Sequence, residues 1–120
     1  MFAPRGVLTV SQLTGAVKEI LETGFPSVTV EGEITGLRST SGKHLYFSVK
    51  DETSVLKVVW FSWASRGGET PSDGQQVRIT GRLAVYEAQG VYQLVVSSLE
   101  SVGLGDLLAR LERLKRNLEA

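Results

Sequence analysis

Between Ser27 and Leu99 the sequence alternates apolar and polar residues with a period of two, the spacing of side chains on the two faces of a β-strand. The alternation falls into five segments, each bounded by turn-forming residues. The five predicted strands are residues 28–34, 44–50, 55–61, 76–86 and 91–99. Residues 51–54 and 87–90 are short enough to be hairpin turns, so the strands that flank each turn are predicted to be antiparallel.

Five consecutive strands of this length are too few for a large sandwich and suit a small closed barrel. Gly32, Gly36 and Gly81 lie inside strand segments, where glycine usually marks a bulge or the sharp bend that a small barrel needs. The sequence therefore predicts a mostly β protein built on the five-stranded Greek-key barrel called the OB-fold. A mixed α+β sheet with helices on one face is the alternative.

Amphipathic helices are predicted on both sides of the strands. The first opens at Thr9, because Thr9 and Gln12 have the spacing of a capping box, and Gly24 supplies its end. The second is predicted from leucines at alternating spacings of three and four: Leu104, Leu107, Leu111, Leu114 and Leu118. The chain is accordingly divided into a flexible lead-in at 1–8, a barrel domain with its N-terminal helix at 9–103, and a C-terminal helix at 104–120.

The composition excludes several classes of protein. The chain of 120 residues has no cysteine, which rules out disulfides, zinc–thiolate sites and a cysteine nucleophile. No apolar run approaches the roughly 18 residues of a membrane span, and the N-terminus lacks a secretory signal pattern, so a cytoplasmic protein without membrane contact is predicted. The single histidine, His44, and the absence of clustered acids predict no metal, no cofactor and no catalysis.

Pairing the strands across residues 51–54 assigns every side chain to one of two faces. The wholly apolar face, predicted to be the barrel interior, consists of Leu45, Phe47, Val49, Leu56, Val58 and Trp60. The other face carries His44, Tyr46, Ser48, Lys50, Val55, Lys57, Val59 and Phe61. The second hairpin divides likewise, with Ile79, Leu83, Val85, Tyr92, Leu94 and Val96 inside and Arg78, Arg82 and Tyr86 outside. The outward face of the second to fifth predicted strands thus carries basic and aromatic residues and no carboxylate.

Single-stranded nucleic acid requires this combination of side chains. Bases stack on aromatic rings at roughly 1–3 kcal/mol each, and Lys and Arg neutralise phosphates. The second and third strands of an OB-fold are its usual binding surface, so Tyr46 and Phe61 are predicted to stack on bases. The predicted phosphate contacts are Arg38, Lys43, Lys50, Lys57 and Arg82, and His44 and Tyr86 complete the predicted interface. An alternative is that Phe61 and Val59 are covered by one of the helices.

Five motifs occur in order along the chain: TVSQL at 9–13, VEGEI at 30–34, SGKHLYFSVKD at 41–51, DGQQV at 73–77 and GRLAVYEAQGVYQL at 81–94. Together they resemble the N-terminal domain of the large subunit of bacterial exodeoxyribonuclease VII. The resemblance covers about residues 8–119. It implies an OB-fold that binds single-stranded DNA for a nuclease that degrades single strands to oligonucleotides.

In that family the hydrolytic residues and the sites for small subunits lie after this domain. The resemblance therefore implies a noncatalytic chain whose residues 104–120 form a helix leading toward a catalytic region. The implied partners are single-stranded DNA and, in full-length family members, exodeoxyribonuclease VII small subunits. The alternative is a protein-interaction or assembly module of a nuclease complex with no direct role in binding nucleic acid.

Three positions depart from the common pattern of that family. Lys43 separates Gly42 from His44, Ser62 stands where an arginine is frequent, and Ala88-Gln89 stands where a proline–arginine or proline–lysine pair is common. The departures at Ser62 and at Ala88-Gln89 remove positive charge from the expected DNA-facing edge, and the formal net charge is +0. Binding by the isolated domain is expected to be weak and sensitive to salt.

Overall fold

The computed structural model describes residues 6–40, 43–63 and 70–103, and within them five strands close into a barrel. The elements are α1 (Val10–Gly24), β1 (Val28–Thr40), β2 (His44–Lys50), β3 (Val55–Trp60), β4 (Gln76–Tyr86) and β5 (Val91–Ser101). The strand order around the barrel is β1-β2-β3-β5-β4, and β4 pairs back onto β1. The predicted OB-fold barrel with an N-terminal helix is confirmed, which excludes the mixed α+β sheet. The predicted helix at 104–120 lies outside the described residues.

Two strands are longer than predicted because pairing continues beyond the apolar alternation. Strand β1 continues from Ile34 to Thr40, since its second half pairs antiparallel with the start of β2. The sequence predicts a polar loop at 38–42, but residues 38–40 belong to β1. Strand β5 reaches Ser101 because its last residues pair with the start of β4.

Helix α1 begins with the predicted capping box. The Thr9 hydroxyl accepts from the Gln12 N–H at 3.1 Å, and Gln12 Oε1 accepts from the Thr9 N–H at 2.9 Å. These bonds satisfy two of the donors that a helix N-terminus leaves unpaired. No helix in the described part of the chain has the length and apolar character needed to cross a membrane.

The C-terminal part of α1 covers an edge of β4. Strand β1 pairs with β4 only as far as Gly81, so amides farther along β4 can donate hydrogen bonds to other parts of the chain. The Leu83 N–H donates to the Phe25 carbonyl at 3.2 Å, and the Val85 N–H donates to Glu22 Oε2 at 3.1 Å. The helix therefore supports the β4–β5 hairpin where it extends past β1.

An ion pair also joins α1 to the turn between β4 and β5. Lys18 Nζ lies 2.8 Å from Glu87 Oε1, and hydrogen bonding and charge attraction to Glu87 raise the pKa of Lys18.

The barrel interior is formed by the apolar face predicted from the β2–β3 pairing. The register places Tyr46 opposite Val59 and Ser48 opposite Lys57, as predicted. The buried core consists of Ile34, Leu45, Phe47, Val49, Val58, Trp60, Val77, Ile79, Leu94 and Val96. At Gly81 a β-carbon would overlap the Val95 carbonyl oxygen, so β4 and β5 approach too closely there for any side chain. Tyr92 was wrongly predicted to lie inside: its side chain is 51% exposed, since the hairpin extends beyond the barrel.

Candidate nucleic-acid interface

A bulge at Gly36 decides which β1 side chain faces outward beside Tyr46. The β1–β2 register shifts between Thr35 and Arg38, and Gly36 has a φ of 68°, a left-handed conformation that glycine adopts without strain. Past the bulge, Arg38 pairs with Tyr46. Were the strand to alternate regularly through Gly36, Leu37 would face outward at that place; instead Leu37 packs against the core.

The connection between β3 and β4 holds this bulge in place. Asp73 Oδ1 accepts a hydrogen bond from the Leu37 N–H at 2.9 Å, which satisfies an amide in the bulge. The Gly74 N–H donates to the Ile34 carbonyl at 2.8 Å on the other side of the bulge. The outward placement of Arg38 is therefore fixed by contacts at both ends of a short segment of β1.

A groove of about 670 Å³ opens on the outer side of β1, β2 and β3 and is bounded by the β4–β5 hairpin. We call it the aromatic groove. It is lined by Gly36, Arg38, Thr40, Tyr46, Phe47, Ser48, Lys57, Val58, Phe61, Tyr86, Gln89, Val91 and Gln93. Five of the predicted interface residues line it: Arg38, Tyr46, Lys57, Phe61 and Tyr86. These described lining residues include two cations and no carboxylate.

The groove combines aromatic surface with positive charge. The Arg38 guanidinium carbon lies 4.9 Å from the centroid of the Tyr46 ring, within the range of a cation–π contact. Lys57 follows from β3, opposite Ser48. Phe61 is 44% exposed and Tyr86 is 48% exposed, so both rings present area to solvent. The surface can therefore bind flat aromatic groups and neutralise anionic groups at the same time.

The β4–β5 hairpin adds residues that the sequence interpretation did not select. Its turn contributes Gln89, and Gln93 follows on β5. Thr40 and Ser48 add hydroxyl groups from β1 and β2. Gln93 could have been found from the sequence, because alternation with inward Leu94 gives it an outward position.

His44 lies beside the groove rather than in its lining. Its ring meets the Phe61 ring edge-on, with centroids 5.2 Å apart and planes at 86°. Its Nδ1 accepts a hydrogen bond from the Ser62 N–H at 3.1 Å. His44 thus contacts the turn that carries Phe61.

Three of the predicted phosphate contacts lie outside the groove lining. Lys43 is exposed just before β2, and Arg82 is exposed on β4 opposite Val95. Lys50 is at the far end of β2, where its Nζ lies 3.7 Å from Glu33 Oε2. Of the two residues for which cover by a helix was the alternative, Val59 is fully buried whereas Phe61 is 44% exposed.

The outer surface of the barrel also contains carboxylates, one of which lies beyond the predicted end of the fifth strand. Because β5 extends to Ser101, it includes Glu100, so the expectation of an acid-free surface on the second to fifth strands is wrong. We call the carboxylate-bearing region the acidic edge. It comprises Glu31, Glu33, Asp51, Glu52 and Glu100.

Three carboxylates of the acidic edge are paired with cations: Glu33 with Lys50, and Glu31 and Glu100 with Arg78. Arg78 NH2 lies 2.6 Å from Glu31 Oε1, and Arg78 NH1 lies 3.3 Å from Glu100 Oε1. Hydrogen bonding and charge attraction, first to Glu31 and then to Glu100, raise the pKa of Arg78. Hydrogen bonds from the backbone amides of Thr53 and Ser54 lower the pKa of Asp51. Within the described ranges, no three His, Cys, Asp or Glu side chains form a group that could hold a metal ion.

The barrel topology and the outward groove agree with a comparison of the chain with known protein families. Residues 8–100 match the model of a family described as OB-fold nucleic acid binding domain. The chain belongs to this family. The predicted nucleic-acid-binding class is thereby confirmed at the level of the family, and the assembly module without a nucleic-acid role is not favoured.

Curated relatives confirm the resemblance predicted from the five motifs. The chain is 43% identical over 119 residues to the exodeoxyribonuclease 7 large subunit of Geotalea daltonii, covering 98% of this chain and 27% of that protein. It is 43% identical over 114 residues to the same subunit of Mesorhizobium japonicum, covering 93% of this chain and 22% of that protein. The chain thus spans about a quarter of the length of these relatives.

Solved structures show the same fold at low sequence identity. A chain of a replication protein A heterotrimer bound to single-stranded DNA superposes with a TM-score of 0.55 at 19% identity. The match covers 78% of this chain and 72% of that chain. At this identity the likeness concerns the barrel alone.

Proposed function

We propose that this chain is a noncatalytic module that binds single-stranded DNA in the aromatic groove and presents it to a nuclease of the exodeoxyribonuclease VII type. The observation that carries the proposal is the joint placement of Tyr46, Phe61 and Tyr86 with Arg38 and Lys57 around one groove. The similarity to exodeoxyribonuclease 7 large subunits supports the choice of DNA, and the exposed rings of the groove support the choice of single strands, whose bases are free to stack.

The proposed roles follow from the chemistry of each group. Phe61 and Tyr86 offer exposed rings for base stacking, which tolerates any base because every base has a π-face. Tyr46 offers one ring face, since Arg38 lies over the other. Arg38 and Lys57 neutralise phosphates, so binding should weaken as salt rises.

In this proposal, catalysis belongs to another part of the nuclease. The relatives named above are about four times longer than this chain. Exodeoxyribonuclease VII small subunits are proposed partners of that longer protein, and the cytoplasm is its proposed location. Lys43, His44, Lys50 and Arg82 remain in the proposed interface as groups that lie around the groove or farther along the barrel. Lys50 and Arg82 can contact phosphates only if the bound DNA is long enough to continue beyond the groove.

The test is a titration of labelled oligo-dT of about 20 nucleotides with the purified chain at two salt concentrations, followed by fluorescence anisotropy. The double substitution Tyr46→Ala and Phe61→Ala should weaken binding by about 30-fold or more, given about 1–3 kcal/mol per stacked base. The matched control is Phe25→Ala with Tyr92→Ala, which also removes two exposed rings but from outside the aromatic groove.

The control double variant should bind as the wild type does. Equal weakening by both double variants would contradict the proposed site. Absence of binding by the wild type at low salt would contradict the proposed function itself. Thermal unfolding of each variant separates lost binding from lost folding.

A further inference from the structure

The turn after β3 contains a backbone feature that the stacking proposal does not use. Strand β3 ends at Trp60, and Phe61 and Ser62 follow. Ser62 has a φ of 52°, a left-handed conformation that is strained for a residue with a β-carbon. A conformation of this kind persists only where surrounding contacts determine it, and here one such contact comes from His44.

His44 reaches this turn from the first position of β2. Its Nδ1 accepts the Ser62 N–H at 3.1 Å, and its ring packs edge-on against Phe61 at a centroid distance of 5.2 Å. The two contacts act on adjacent residues, one on the backbone and one on the aromatic side chain. Together they connect His44 to both the backbone of the turn and the Phe61 ring.

We propose that His44 is a positioning residue that holds Phe61 at the lip of the aromatic groove in the orientation needed to stack on a base. The inference rests on the proposed function, because it assigns a role in the same site. It differs from the sequence-based expectation that His44 contacts the nucleic acid directly. The hydrogen bond uses the lone pair of Nδ1, so in this geometry that nitrogen faces the protein backbone and not a phosphate.

A double-mutant cycle in the oligo-dT titration separates the two roles. His44→Ala should weaken binding by about fivefold, and Phe61→Ala by about tenfold. If His44 acts through Phe61, the double variant should bind within about twofold of Phe61→Ala alone. If His44 contacts the strand independently, the two losses should multiply to about 50-fold.

Lys57→Ala shows how two independent losses of affinity combine in the same titration. Lys57 lies on β3, just before the turn, and has a proposed phosphate contact of its own. In the double variant, the loss of oligo-dT affinity caused by Lys57→Ala should multiply with the loss caused by His44→Ala. The dependence of affinity on salt should be shallower in Lys57→Ala and unchanged in His44→Ala, since only a phosphate contact contributes to that dependence. A shallower dependence in His44→Ala would overturn the positioning role.

Conservative variants identify which contact matters. His44→Asn places an amide oxygen near the position of Nδ1 and can still accept the Ser62 N–H, whereas His44→Gln places it near Nε2. Binding by His44→Asn should lie within about twofold of the wild type, and His44→Gln should resemble His44→Ala. Equal affinities of these two variants would overturn the hydrogen-bond part of the proposal.

Two measurements keep the outcomes distinct. The thermal midpoint of each variant shows whether it folds, and a His44→Ala variant that unfolds leaves the Asn and Gln pair to decide. Wild-type protein that fails to bind oligo-dT overturns the proposed function and this inference with it. Wild-type protein that binds, combined with independent losses in the cycle, overturns only the positioning role.

Discussion

The two ends of the β1–β2 ladder differ in what lies opposite each cation. At one end Arg38 pairs with Tyr46 and lies over its ring. At the other end Lys50 pairs with Glu33, and their charged groups are 3.7 Å apart. Tyr46 and Lys50 are four residues apart on β2, a distance of about 13 Å along the strand. Both cations face outward on the same side of the same two strands.

The difference shows that two cations facing outward on the same two strands can have neighbours of opposite character. A cation beside an aromatic ring keeps its charge available to an anion, whereas a cation beside a carboxylate is already partly neutralised. Like charge at the acidic edge would also repel a phosphate backbone. The aromatic groove and the acidic edge are therefore expected to respond differently to the same substitution.

The largest difference is expected for charge reversal at two lysines. Lys57→Glu places a carboxylate in the aromatic groove and should weaken oligo-dT binding by about tenfold or more, because it removes one phosphate contact and adds repulsion. Lys50→Glu reverses a charge at the acidic edge and should change affinity by less than about threefold. Anisotropy titrations at one salt concentration compare the two. Equal losses would mean that the strand crosses both regions.

A smaller effect is expected where α1 supports the wall of the groove. Glu22→Ala removes the acceptor of the Val85 N–H, which lies one residue before groove-lining Tyr86. The Val85 amide should exchange with solvent about fivefold faster, and oligo-dT affinity should fall by about threefold. Glu19→Ala, at an exposed position on the same helix, is the control and should change neither quantity. Faster exchange without any loss of affinity would show that the hairpin position does not affect binding.

Arg78 allows the opposite test, in which stability changes and binding does not. Arg78→Ala removes the cation shared by Glu31 and Glu100. The thermal midpoint should fall by a few degrees, since two ion pairs are lost and each contributes only a little at a partly exposed site. Affinity for oligo-dT should stay within about twofold of the wild type. A larger loss of affinity would place DNA near the acidic edge.

The smallest effect concerns pH at the turn between β2 and β3. Hydrogen bonds from Thr53 and Ser54 lower the pKa of Asp51 in the folded protein below its ordinary value of about 3.9. The stabilisation is therefore present above pH of about 3.9 and is lost as the pH falls through the folded-state pKa. An NMR titration of the Asp51 carboxyl should give a midpoint below that of the unfolded chain. Asp51→Asn should lack this contribution to the acid sensitivity of the turn.

Much of the barrel could be predicted because its signals are local. The alternation in β2 and β3 identifies the inner face, and the short turn at 51–54 fixes the register that places Tyr46 opposite Val59. The capping box at Thr9 is likewise local, since both of its hydrogen bonds join residues three apart. Family membership also followed from the order of motifs along the chain.

The candidate site was harder to predict from the sequence, because it depends on contacts between residues far apart in sequence. The sequence predicts that Arg38 lies in a loop, whereas the bulge at Gly36 and the Asp73 carboxylate place it on β1 beside Tyr46. Lys50 resembles Lys57 in the alternation, and only the pairing of β1 with β2 brings Glu33 to Lys50.

The sequence by itself determined the inner face of β2 and β3, because a strand alternates its side chains with a period of two. It also determined the class of fold and the class of ligand. Only the tertiary structure decided which outward cations keep their charge available and which are neutralised. The physical reason is that charge–charge and cation–π contacts act over a few ångströms, and that proximity is set by barrel closure and not by distance along the chain.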